Sequence, residues 1–143
     1  MSELLALQDL SEKIALEAGT LLQERPSKFT LDQKSGLHDF ATQMDHKSEK
    51  LITERITAAR PDDGLLGEEG AARDSRSGYT WVIDPIDGTV NYLYGIPGWC
   101  VSLGVKDKDG FAVGVVYSPM TSSLWKAARG HGAFLNGERI QCN

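Results

Sequence analysis

Residues 80–95 read TWVIDPIDGTVNYLYG, and this stretch decides how the rest of the chain is interpreted. Its first residues are aromatic or β-branched, which predicts a β-strand. The strand leads into DPIDGT, residues 84–89, where two carboxylates stand three positions apart and are followed by a glycine and a threonine. A turn of this composition can hold a hard divalent cation beside a phosphate group.

Length and charge bound the class of protein. A chain of 143 residues has the size of one domain, and residues 1–143 are treated as one unit. The net charge of −5 repels nucleic acid and anionic lipid, so we expect neither nucleic acid nor a membrane as a partner. Cys100 and Cys142 form no disulfide or metal pattern and predict a cytoplasmic protein with reduced thiols. The first residues, MSELL, do not resemble a signal peptide.

Two amphipathic helices are predicted in the first half of the chain. Apolar residues recur at helical spacing over residues 4–22, and Pro26 follows the end of that pattern. A second helix is predicted to begin near Thr42, where Thr-x-x-Asp forms a capping pattern with Asp45, and to end before Pro61.

The second half of the chain is predicted to form strands separated by turns. Its tryptophans, Trp81, Trp99 and Trp125, are interpreted as core residues. Residues 71–79 are polar and predict a surface loop. The strand-like runs are residues 65–67, 80–83, 99–105, 111–117, 123–128 and 133–140, the last with an Asn-Gly hairpin signature. We therefore predict an α+β fold with two N-terminal helices packed on a mainly antiparallel sheet.

A third carboxylate is expected to join the two in the hexapeptide. An isolated Asp-Gly pair is more often a plain turn, but Glu68 lies sixteen residues before Asp84 and also follows a short apolar strand. Neighbouring strands would bring Glu68, Asp84 and Asp87 to one edge of the sheet. An all-oxygen set favours magnesium, manganese or calcium over zinc, and magnesium fits best. The carbonyl of Ile86, between the two aspartates, can also face the ion.

The same turn suggests phosphoryl chemistry. Gly88 and Thr89 are predicted to open a helical turn whose free N–H groups can bind phosphate. A magnesium-bound water is a better nucleophile than free water, so hydrolysis of a phosphate ester is the predicted reaction. Glu69 is interpreted as a structural carboxylate, and Asp45 can equally be a simple capping residue. His38, His46 and His131 lack ligand spacing and are assigned no role.

Four motifs together resemble a known family. They are GEE at 67–69, WVIDPIDGTVNY at 81–92, GVVYSP at 114–119 and GAFLNG at 132–137. They resemble the inositol monophosphatase family of magnesium-dependent, lithium-sensitive phosphatases over essentially the whole chain. The resemblance implies the N-terminal part of a layered αβαβα sugar-phosphatase fold.

The resemblance also implies a ligand set. Glu68, Asp84 and the carbonyl of Ile86 would bind a first Mg²⁺ ion, and Asp84 and Asp87 would face a second. Asp87, Gly88 and Thr89 would contact the substrate phosphate, the last two through backbone N–H groups.

Further residues are implied to act in catalysis. Asp45 would accept a hydrogen bond from the Thr89 hydroxyl, which together with Glu68 would orient the attacking water. Lys34 would lie in the loop near a third, weakly held metal ion.

The resemblance leaves part of the site unaccounted for. Family members continue into a second half that supplies an aspartate for the second metal and the residues that bind the alcohol, so we expect residues 1–143 to be the N-terminal portion of a longer phosphatase that forms a homodimer. Inositol monophosphate is the favoured substrate. Histidinol phosphate, a nucleotide 3′-phosphate and fructose bisphosphate are alternatives, and a non-catalytic half-domain that binds a metal or a partner is a further one.

Overall fold

The computed structural model describes residues 2–33 and 40–142. In that part of the chain the helices are α1 (Glu3–Gln23), α2 (Gln43–Ala59) and α3 (Thr89–Leu93). The strands are β1 (Leu31–Gln33), β2 (Phe40–Thr42), β3 (Gly64–Gly67), β4 (Ala72–Arg73), β5 (Thr80–Asp87), β6 (Cys100–Asp107), β7 (Gly110–Ser118), β8 (Ser123–Ala128), β9 (Gly132–Leu135) and β10 (Glu138–Ile140). A short 3₁₀ helix, Pro119–Thr121, joins β7 to β8.

One large sheet organises the molecule. Its eight strands follow the order β10-β9-β8-β7-β6-β5-β3-β4, and every neighbouring pair is antiparallel except β3 with β5, which is parallel. A separate pair, β1 with β2, is antiparallel. The α+β prediction is therefore confirmed. Residues 71–79 were expected to be a loop, but β4 pairs with β3 within them.

The helices cover one face of the sheet. α1 packs on β6, β7 and β8, whereas α2 packs on α1 and β5. The apolar stripe expected on α1 faces the core: Leu7, Ile14, Ala18 and Leu22 are buried, and Leu4, Leu10 and Leu21 are partly buried. Because side chains alternate along a strand, Trp81 and Ile83 of β5 point into this core and Asp84 faces the other side. The hydrophobic core thus fixes which face of β5 carries the acid.

The start of α2 matches its sequence signature. Thr42 is the N-cap, and its hydroxyl accepts the N–H groups of Met44 at 3.1 Å and Asp45 at 3.3 Å. The Asp45 carboxylate accepts the Thr42 N–H at 2.7 Å, which completes a capping box. The predicted helix start is confirmed.

The other face of the sheet carries an open groove of about 700 Å³. Its floor includes a row of small residues paired across four strands: Gly104, Gly114, Ala127 and Ala133. Glu68 and Asp84 lie in its lining. Trp125 belongs to this face, so the expectation that it is a core residue was wrong: 37% of it is exposed, against 0% for Trp81 and 3% for Trp99. Among the described residues no helix is long and apolar enough to cross a membrane.

A buried aspartate ties the end of α2 to the sheet. Asp63 is 1% exposed, and its Oδ2 accepts hydrogen bonds from Trp81 Nε1 and Arg60 Nε, both at 2.8 Å. Its Oδ1 accepts from Ser77 Oγ at 2.6 Å. Burial alone raises the pKa of Asp63, but the hydrogen bonds from Arg60, Ser77 and Trp81 lower it by more, so the pKa lies below its ordinary value of 3.8.

This shift makes stability depend on pH in a defined direction. Because the pKa of Asp63 is lower in the folded chain than in the unfolded one, its contribution is present above pH 3.8 and is lost as pH falls through the folded-state value. We expect the stability difference between the unsubstituted chain and Asp63→Asn to shrink with falling pH. Urea unfolding of both proteins from about pH 5 downwards measures it. Parallel curves for the two proteins would contradict the assignment.

Candidate functional site

The parallel pair β3 and β5 brings two of the predicted acids to one edge of the sheet. Gly67 is paired with Ile83, and the next residue, Glu68, donates its N–H to the Ile83 carbonyl at 3.1 Å. Glu68 therefore follows β3 at the level where Asp84 follows Ile83 on β5. The expectation that neighbouring strand ends bring these segments together is confirmed.

A bulge in β5 shapes the DPIDGT turn. Asp84 pairs with Ser102 and Asp87 pairs with Cys100. The chain therefore advances three residues along β5 where it advances two along β6. In a regular strand residues three apart point to opposite faces, and one extra residue restores them to the same side. Asp84 is half-buried and Asp87 is exposed. The bulge thus turns both carboxylates towards one region.

Cys100 is a neighbour of these acids that the sequence did not indicate. Its thiol donates a hydrogen bond to Asp87, with Sγ and Oδ2 3.9 Å apart. Burial, followed by the charges of Asp87 and Asp84, raises the pKa of Cys100 to about 11, so the thiol stays protonated at neutral pH. The pairing of β6 with β5 places it there, and only the strand register could have revealed it.

The turn after β5 requires a glycine. Gly88 has φ +91, and a Cβ at this position would lie 2.6 Å from the Gly98 carbonyl oxygen. It is followed by Thr89, the first residue of α3, whose hydroxyl donates to Asp45 Oδ1 at 2.9 Å and lies 3.3 Å from the Ile86 carbonyl oxygen. Asp45 therefore both caps α2 and accepts the Thr89 hydroxyl. Its part in catalysis stays a prediction.

Two residues of α2 that the sequence reading missed also contact the site segments. Ser48 Oγ donates to the Pro85 carbonyl at 3.0 Å. The Glu49 carboxylate accepts the backbone N–H of Glu69 and that of Ala71, both at 3.0 Å. Their spacing from Asp45, three and four residues, was the available signal because such residues share a helix face.

The short helix α3 is held against the end of α1. Tyr92 donates its hydroxyl to the Leu22 carbonyl at 2.6 Å, and its ring meets Trp99 edge-on at 4.8 Å between centroids. The guanidinium of Arg25 donates to the carbonyls of Tyr92 and Leu93 and lies 4.9 Å from the centre of the Tyr92 ring. These contacts fix the helix that begins with Thr89.

The donor set fits a hard cation by its chemistry. Glu68, Asp84 and Asp87 offer carboxylate oxygens and Ile86 offers a carbonyl, which are the ligands that Mg²⁺ prefers. Among residues 2–33 and 40–142 no three His, Cys, Asp or Glu side chains stand close enough together to hold a metal ion. Their assignment as ligands, and that of Asp87, Gly88 and Thr89 to phosphate, stays a prediction. Lys34 lies outside the described residues.

The parallel strand pair that ends in carboxylates thus lies next to a threonine that is hydrogen-bonded to a buried aspartate. Known proteins share this sequence and fold. The sequence model of the inositol monophosphatase family matches residues 3–143, and the chain belongs to this family. An inositol-1-monophosphatase from Rhizobium meliloti is 41% identical over 107 residues, which are 74% of this chain and 40% of that protein.

Two further proteins extend the match to nearly the whole chain. A fructose-1,6-bisphosphatase/inositol-1-monophosphatase from Aquifex aeolicus is 38% identical over 143 residues, covering 99% of this chain and 54% of that protein. The crystal structure of the extragenic suppressor protein suhB from Bartonella henselae superposes with a TM-score of 0.91 at 33% identity, covering 96% of this chain and 55% of that one. The chain thus spans about half the length of the relatives it matches.

Proposed function

We propose that this chain carries the metal- and phosphate-binding part of a magnesium-dependent phosphomonoesterase whose favoured substrate is inositol monophosphate. The observation that supports it most is the hydrogen bond from the Thr89 hydroxyl to the buried Asp45 carboxylate, made at the strand edge where Glu68 and Asp84 stand. This hydrogen bond joins residues 44 positions apart in the sequence, and it is not itself part of a helix cap.

The residues of the site divide into three tasks. Glu68, Asp84, Asp87 and the Ile86 carbonyl would hold Mg²⁺, which when bound makes water more acidic and neutralises charge on the phosphate. The Thr89 hydroxyl donates its hydrogen bond to Asp45, so its oxygen can accept a hydrogen bond from water and orient it. Backbone N–H groups of Gly88 and Thr89 would contact the phosphate.

The names of the relatives do not show which alcohol carries the phosphate in the substrate. A histidinol-phosphatase from Chlorobaculum parvum is 38% identical over 138 residues, and a Nus factor SuhB from Xylella fastidiosa is 40% identical over 132 residues. Histidinol phosphate, fructose bisphosphate and a nucleotide 3′-phosphate therefore remain alternative substrates. A homodimer and a cytoplasmic location also remain predictions.

A second candidate function is a half-domain that binds a metal or a partner and performs no catalysis alone. The open groove favours it, because Glu68 and Asp84 line a face that no described element covers.

Phosphate release from inositol 1-phosphate with Mg²⁺ tests both functions. We expect release by a form in which residues 1–143 are followed by the remaining half of the Aquifex aeolicus relative. In that form Glu68→Gln should lower the rate by at least about tenfold, since even indirect disturbance of a metal ligand has this effect. Asp109→Asn, at the hairpin between β6 and β7, is the control and should leave the rate unchanged.

The outcomes separate the two candidates. Mg²⁺ binding by the 143-residue chain without phosphate release supports the half-domain. No release by the extended form, or equal release by its Glu68→Gln variant, contradicts the catalytic function.

A further inference from the structure

Helix α2 buries three polar side chains on one face. Asp45, Ser48 and Glu49 are 1%, 0% and 4% exposed, and their spacing of three and four residues places them side by side. Buried polar groups destabilise a fold unless they are hydrogen-bonded, so a helix face that only packs would carry apolar residues here. The burial of these three side chains must therefore be explained by the groups with which they form hydrogen bonds.

Each partner lies in a different segment of the candidate site. Asp45 accepts the Thr89 hydroxyl at 2.9 Å, and Ser48 donates to the carbonyl of Pro85 at 3.0 Å, between Asp84 and Ile86. Glu49 accepts two backbone N–H groups of the turn that follows Glu68. One rigid helix face thus contacts all three segments that carry the predicted ligands.

Glu49 makes two of these attachments. Oε1 accepts the Glu69 N–H and Oε2 the Ala71 N–H, both at 3.0 Å, so the two oxygens hold the turn at two points. Gly67 packs directly on the same carboxylate: a Cβ there would lie 2.4 Å from Oε1. A buried carboxylate bound in this way fixes backbone and is not placed to be a metal ligand.

We propose that Glu49 is a positioning residue for the metal site. It fixes the turn of residues 67–71 so that Glu68 is held at the level of Asp84, and Ser48 fixes the DPIDGT turn from the same helix face. The inference rests on the proposed function, since Glu68 matters only if it binds the metal.

The test compares Glu49→Gln with Glu54→Gln in the 143-residue chain. Glutamine keeps the size of the side chain but turns an NH₂ group towards one of the two N–H donors, so one hydrogen bond is lost. Glu54 lies on the same helix and is exposed, and its Oε1 is 4.0 Å from Lys50 Nζ. It is therefore a matched control. Mn²⁺ binding followed by electron paramagnetic resonance and amide hydrogen exchange at Glu69 and Ala71 are the two measurements.

We expect Glu49→Gln to weaken Mn²⁺ binding about tenfold and to speed exchange at the one amide, of Glu69 or Ala71, that loses its acceptor, while Glu54→Gln changes neither measurement. Gly67→Ala, which displaces the same carboxylate from the other side, should act in the same direction. A purely structural role would lower the melting temperature and leave Mn²⁺ affinity of the folded chain unchanged, and that result overturns the inference.

Failure of the proposed function gives a different result. If the unsubstituted chain does not bind Mn²⁺, the metal site itself is contradicted. Amide hydrogen exchange then tests separately whether Glu49 holds the turn of residues 67–71. Unchanged exchange at Glu69 and Ala71 in Glu49→Gln would overturn that part of the inference.

Discussion

Asp63→Ala is expected to lower the free energy of unfolding by about 3–5 kcal/mol, because removing a buried carboxylate from an ion pair leaves its hydrogen-bond donors without that acceptor. Arg60 keeps Glu3 but loses the nearer of its two carboxylate partners, and the indole N–H of the fully buried Trp81 loses its acceptor. Small domains are stable by only about 5–15 kcal/mol, so this single change removes a large share of the total.

Urea unfolding measures this loss. The neighbouring substitution Asp62→Ala is the control, since the Asp62 side chain is exposed, and it should change stability by no more than about 0.5 kcal/mol. A loss below about 1 kcal/mol for Asp63→Ala would show that the hydrogen bonds of the network are replaced by water or by other partners.

Gly88→Ala is expected to cost about 2–4 kcal/mol of stability and to disturb the candidate site, because two separate penalties combine. An L-residue is strained at φ +91, and the added Cβ would stand 2.6 Å from the backbone oxygen of Gly98, which cannot rotate away. Relief requires the turn to move, and Thr89 moves with it away from Asp45.

A second glycine separates the two penalties. Gly78 has φ +95, and no atom lies within 4 Å of the point where its Cβ would stand, so Gly78→Ala carries the conformational strain without the clash. Thermal unfolding of both variants gives the difference due to the clash, and Mn²⁺ binding reports the effect on the site. Equal losses for the two variants would contradict the close approach to Gly98.

Local sequence signals predicted the elements of the fold well. The capping pattern of Thr42 with Asp45 and the helical spacing of residues 4–22 depend only on neighbours within one or two turns. The Asn136-Gly137 pair likewise adopts positive φ at both positions, +50 and +84, as a tight hairpin requires. Such features are decided by the residues themselves.

Contacts between distant segments could not be predicted in the same way. Cys100 is a neighbour of Asp87 only because of the register of β5 with β6, and Glu49 meets Ala71 only because α2 lies on β5. Trp125 was misassigned because periodicity shows that a strand has two faces and does not show which one the helices cover. The strand-end convergence of Glu68 and Asp84 was predictable because each follows an apolar run that fits one sheet.

The long-range hydrogen bonds of Thr89 and Tyr92 have a consequence for how the chain folds. The contacts that assemble the site join residues far apart in sequence, such as Thr89 with Asp45 at 44 positions and Tyr92 with Leu22 at 70. A partly folded chain lacks them, so the site exists only once long-range structure is complete. Any ligand of the assembled site binds the native state alone and raises the unfolding midpoint with its concentration, which couples occupancy to the survival of the folded chain.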